Sequence, residues 1–134
     1  MLIKICGIND AAGMNAAVTA GADFVGLNFF PPSPRAVTPA QAGALALAGP
    51  LKVGLFVDPT DDDIANILAA VALDIVQLHG EETPARCAVV KARFGLPVMK
   101  ALGIATRADL AQLAGYAPHV DGFLLDAKAP PGAE

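Results

Sequence analysis

Six short β-branched runs recur along the chain with alanine-rich stretches between them, and this spacing limits the fold more than any other feature. The runs are LIKIC (2–6), DFVGLNF (23–29), LKVGLFV (51–57), LDIVQLH (73–79), PVMKAL (97–102) and VDGFLLD (120–126), and they start 21 to 28 residues apart. A strand followed by a helix fills a period of that size, so the pattern predicts repeated βα units and a parallel sheet. Helix-end chemistry agrees. Asn9 or Asp10 can cap a helix running to Ala20 and stopping at Gly21, and Thr38 before Pro39 opens a segment ending at Gly49. Thr60, with three aspartates after it, opens 61–70, where the acidic first turn suits the helix dipole. Thr83-Pro84 and Thr106 start the next two helices. Right-handed crossovers then leave two closures, an open doubly wound sheet or a (β/α)8 barrel.

Several function classes are disfavoured. No GxGxxG follows the first run and no Walker-type glycine loop occurs, which argues against a nucleotide-binding open sheet. The hydrophobic share of 54% exceeds the usual value of about 45–50% and suits strands buried on both faces. A membrane span needs about 20 consecutive apolar residues; the most apolar region, 42–57, is broken by Gly49, Pro50, Lys52 and Gly54. Nine scattered basic residues and a net charge of −4 outline no nucleic-acid footprint. Met1 leads straight into a strand-like run, so no signal peptide is expected. Two cysteines are too few for a disulfide scaffold, which favours a reduced, cytoplasmic setting.

Chemistry in a barrel gathers where strands end and βα loops begin. Cys6 closes the first strand directly before Gly7, and alternation places Lys4 on the same side, where its charge would favour the thiolate. Cys87, inside a helix, reads as a small core residue. Arg35 is the lone arginine of a proline-stiffened loop and can aim its fork at a carboxylate or phosphate. Gln77 and His79 share a side at the end of the fourth strand; His79 suits a base, a substrate-positioning donor or a structural role. Asp126, after an apolar run, is costly to leave unpaired and suits a general acid. Asp58 before Pro59 reads as a turn residue, and His119 falls at the opposite end of the barrel.

KICGI, GADFVGLNFFPPSPRAV, VGLFVD, VQLHGEE and FLLDAK stand in the order and spacing of the phosphoribosylanthranilate isomerase family, which the chain resembles over all 134 residues. The resemblance implies a (β/α)8 TIM barrel and an Amadori rearrangement without cofactor or metal, in which N-(5′-phosphoribosyl)anthranilate becomes the 1-deoxyribulose 5-phosphate. It implies Cys6 as general base, Asp126 as general acid and Arg35 as the contact for the anthranilate carboxylate. Gly7, Gln77 and His79 join them as expected substrate-binding positions, with Gly7 letting substrate approach the cysteine. Such a barrel has eight units over about 200 residues, so 1–134 is expected to be a partial barrel domain with strands seven and eight, and the phosphate-binding loops, outside it. The partner expected is a small phosphorylated substrate, with no nucleic acid or membrane, for a monomer or homodimer. Three other readings stay open: a lysine–glutamate barrel such as indole-glycerol-phosphate synthase, a flavodoxin-like binding module with an inert Cys6, and an inactive truncated barrel.

Overall fold

The computed structural model describes residues 1–45 and 49–128. Its strands are β1 (Lys4–Cys6), β2 (Phe24–Asn28), β3 (Leu51–Phe56), β4 (Ile75–Leu78), β5 (Val98–Ile104) and β6 (Gly122–Ala127). All pair in parallel, each with its neighbour in sequence, in the order β1-β2-β3-β4-β5-β6. A doubly wound sheet reverses direction at a switch point. This sheet never does, which removes the flavodoxin-like alternative and leaves an arc of a (β/α)8 barrel.

The helices are α1 (Ala11–Thr19), α2 (Pro39–Leu45), α3 (Asp61–Ala70) and α4 (Pro84–Phe94). Asp10, Thr60 and Thr83 cap α1, α3 and α4 by accepting backbone N–H bonds from Gly13, Asp63 and Arg86. Thr60 and Asp63 cap each other's backbone reciprocally, which defines the start of α3. The expectation that the second helix ends at Gly49 touches residues 46–48, which lie outside the described ones. A correction falls after β5. Thr106 opens a 3-10 turn (Arg107–Gln112), and regular helix, α5, covers only Leu113–Tyr116. Pro118 accounts for the end of α5 at Tyr116, since proline lacks the N–H that continues the ladder.

Outward-facing strand residues meet the helices. Val25, Leu27, Phe56, Val76, Leu78 and Val98 pack with Met14, Ile64, Ile67 and Val90 in one buried cluster. Cys87 lies in it, fully buried, and burial pushes its thiol pKa up, as suits a packing residue. The alternate residues, among them Lys4, Phe24, Val53, Ile75, Met99 and Leu124, line the concave face.

Candidate active site

The polar side chains of the concave face begin with Lys4. Its ammonium crosses the arc from β1 and donates to Gln77 Oε1 on β4. Gln77 is fully buried, and its Nε2 lies 3.1 Å from His79 Nδ1. His79 Nε2 is in turn 3.1 Å from Asp126 Oδ2 on β6. This last contact spans a whole strand. β5 permits it by presenting Ala101 and Gly103 on that face, with Gly103 in register with Asp126. Burial pulls the Lys4 pKa down, against the opposing pull of Cys6 and Asp126, so one cation feels both groups. Lys4 was expected to favour the thiolate of Cys6 by its charge; it also donates a hydrogen bond to Gln77, which the sequence did not indicate.

Two glycines make room for the other groups. A Cβ on Gly26 of β2 would fall 2.7 Å from Cys6 Sγ, so the thiol occupies the space that a side chain would fill. Gly7 has φ +79°, and a Cβ there would come within 2.5 Å of Arg35 Cδ. The Arg35 stem therefore crosses Gly7, where the sequence had suggested space for substrate. Asn28 and Ser33 side chains accept from the N–H groups of Phe30 and Arg35 and stiffen the loop that delivers the guanidinium. Among the described residues no carboxylate forms an ion pair with Arg35. Gly7→Ala is expected to lower stability by about 1–2 kcal/mol through left-handed backbone strain, and by more through the Arg35 clash. Gly21, with φ +77° and nothing within 4 Å, is the control. Equal urea midpoints for Gly7→Ala and Gly21→Ala would show that the Arg35 contact contributes nothing.

Two expectations change. Gln77 was expected to touch substrate, but both ends of its buried amide are engaged by Lys4 and His79. Asp126 was expected in an apolar setting; its side chain is 52% exposed because β6 forms an edge of the described sheet. Asp58 is a turn residue as expected, at φ 47°, and its Oδ1 accepts from the Glu81 N–H at 2.8 Å.

Sequence reading missed Lys100 and Glu82, whose side chains are each only 1% exposed. Lys100 Nζ donates to Glu82 Oε1 at 2.8 Å and to Gly80 O at 2.6 Å. Glu82 accepts from the N–H groups of Asp58 and Gly80. The pair ties the loops after β3 and β4 to β5, next to His79. A glutamate in VQLHGEE, among residues read as loop, carried no signal of burial. Among the described residues no group of three His, Cys, Asp or Glu side chains could hold a metal ion.

A parallel arc in strict sequence order, with titratable groups at its strand ends, defines part of a (β/α)8-barrel protein whose site lies at the C-terminal rim. A family model for N-(5′-phosphoribosyl)anthranilate (PRA) isomerase matches residues 3–133, and the chain belongs to this family. It is 57% identical over 134 residues to the N-(5′-phosphoribosyl)anthranilate isomerase of Paracoccus denitrificans, an alignment covering 98% of this chain and 62% of that relative. The Thermotoga maritima phosphoribosyl anthranilate isomerase superposes with a TM-score of 0.87 at 33% identity, covering 98% of this chain and 64% of that one. A further solved isomerase, in complex with reduced 1-(o-carboxyphenylamino)-1-deoxyribulose 5-phosphate, gives 0.86 at 32% identity, covering 96% and 66%. The chain thus spans about three fifths of the length of the curated relatives it matches.

Proposed function

We propose that residues 1–134 form the partial barrel domain that carries the proton-transfer groups of a PRA isomerase acting in tryptophan biosynthesis. The observation that supports this best, beside the family match, is that Cys6 ends β1 and Asp126 stands in β6 on the concave face, at opposite ends of the described arc and on either side of the half-buried Lys4. Two groups so placed address different atoms of one substrate. Asp126 donates a proton to the ribose ring oxygen; the C1–O bond breaks and a Schiff base to the anthranilate nitrogen forms. The Schiff base acidifies C2, and Cys6 removes that proton as a thiolate. The resulting enolamine tautomerises to the aminoketose, so the sequence is an isomerisation with no net redox change. His79 Nε2 engages Asp126 Oδ2; among the described residues Oδ1 has no protein partner and is the oxygen that carries the transferred proton.

Arg35 holds the anthranilate carboxylate through a charge-assisted fork. We assign the phosphate to loops outside these 134 residues, because barrels of this kind hold phosphate after strands seven and eight. A base that works as a thiolate suits a reducing, cytoplasmic setting, and no described helix is long and apolar enough to cross a membrane. The test is to supply N-(5′-phosphoribosyl)anthranilate to the full natural polypeptide containing these residues and follow its conversion. Arg35→Met is expected to raise KM roughly 10- to 100-fold, the value of one lost charged hydrogen bond, with a smaller effect on kcat. No conversion by the unaltered protein, or an unchanged KM in the variant, would overturn the reading.

A further inference from the structure

We propose that Lys4 and Gln77 are positioning residues that act through His79: they hold its ring as the tautomer protonated at Nε2 and so fix the carboxyl group of Asp126. Hydrogen-bonding capacity fixes each donor and acceptor in the chain. A lysine ammonium only donates, so the Gln77 amide must turn its oxygen to Lys4. The amide NH2 is then the group 3.1 Å from His79 Nδ1. An NH2 group also only donates, so Nδ1 must present its lone pair and the ring proton sits on Nε2. That nitrogen lies 3.1 Å from Asp126 Oδ2 and donates to it.

Burial makes the arrangement hard to reverse. Gln77 is fully buried, so no solvent shell compensates a flipped amide. A flip would set an ammonium against an NH2 group and leave buried donors without acceptors. The chain runs from Lys4 on β1 through Gln77 on β4 and His79 just after it, so side chains from two strands and one loop orient the carboxyl group on β6. With Oδ2 occupied, Asp126 presents Oδ1 in a constant direction, which a general acid needs.

The effect on turnover rests on the function proposed above; the tautomer does not, and the experiment separates the two. These 134 residues contain two histidines, His79 and His119, and a His79→Asn variant identifies the His79 signals in the long-range 1H–15N spectrum of the 15N-labelled full polypeptide. At neutral pH the His79 pattern expected is a protonated Nε2 and a lone-pair Nδ1. Gln77→Glu replaces the donor with an acceptor and is expected to put a proton on Nδ1 as well, giving an imidazolium held between two carboxylates. Lys4→Met frees the Gln77 amide, so a tautomer mixture is expected. Both variants are expected to lower kcat tenfold or more with little change in KM, since aligned proton transfer is worth about 10²–10⁴-fold. A wild-type ring protonated at Nδ1, or a Gln77→Glu spectrum like the wild type, overturns the assignment. A changed His79 protonation pattern with unchanged kcat overturns the positioning role. If the wild type converts no substrate, the functional reading fails and the wild-type spectrum still decides the tautomer.

Discussion

Cys6→Ser is expected to lower kcat by about 10²–10⁴-fold, the usual contribution of one positioned proton-transfer group, while KM changes little. Serine nearly matches cysteine in shape, and its smaller Oγ still fits over Gly26, where the thiol already sits close to the sheet. What is lost is basicity, because an alcohol ionises far less readily than a thiol with a pKa near 8.5. Arg35, on its own loop, keeps the carboxylate contact, so binding is spared. Asp126→Asn is expected to match this loss for a different reason. The asparagine carbonyl still accepts from His79 Nε2, so the geometry survives, but the amide has no proton to deliver to the ring oxygen. Steady-state rates with substrate deuterated at C2 check the assignment: slowed proton abstraction in Cys6→Ser should expose a larger isotope effect. Labelling gives an independent reading. Cys6 is exposed and Cys87 buried, so maleimide should label Cys6 and spare Cys87 in the native protein, and substrate should block the label at Cys6. Near-wild-type turnover in either variant would remove the proposed acid–base pair.

How far these residues were legible before the structure depended on whether their partners were local. Helix α3 could be bounded at Asp61 and Ala70 because Thr60 and Asp63 satisfy each other within a single turn. The side of β1 that carries Lys4 and Cys6 followed from strand alternation, which needs nothing outside the strand. Cys6, His79, Arg35 and Asp126 could be singled out because they fall at strand ends or in the loop after one. The relations between them could not be read in this way. Lys4 meets Gln77 across 73 positions of sequence, and Arg35 crosses Gly7 from 28 residues away. Gln77 looked like a rim residue because alternation pairs it with His79, yet the hydrogen bonds of its amide show that it supports the ring from below. The helix expected after Thr106 starts there, as its capping chemistry indicates, but as a 3-10 turn, and Pro118 soon ends the regular helix that follows.

Lys100→Met is expected to destabilise the protein by about 3–5 kcal/mol, the cost of leaving one member of a buried ion pair alone. Methionine nearly matches the lysine stem in volume, so the loss comes from charge and hydrogen bonds rather than from a cavity. The variant leaves Glu82 without its counter-ion and Gly80 O without its 2.6 Å donor, at a site that solvent scarcely reaches. Glu82 would keep the Asp58 and Gly80 N–H groups, but those two dipoles do not replace a cation. Thermal unfolding is expected to fall on the order of 10 °C, since each kcal/mol moves the midpoint by a few degrees in a domain of this size. Adding Glu82→Gln separates the mechanism from simple loss of packing. The amide oxygen can still accept from Asp58 and Gly80, its NH2 can donate to the freed Gly80 carbonyl, and no buried charge remains. The double variant should therefore recover much of the stability, because removing both charges costs far less than removing one. A double variant no more stable than Lys100→Met would show that the ion pair is not what holds these loops. The same pair anchors Gly80, next to His79, so the single variant should also weaken the His79–Asp126 contact below its unfolding temperature. Restored stability with restored turnover in the double variant would tie both effects to this one buried contact.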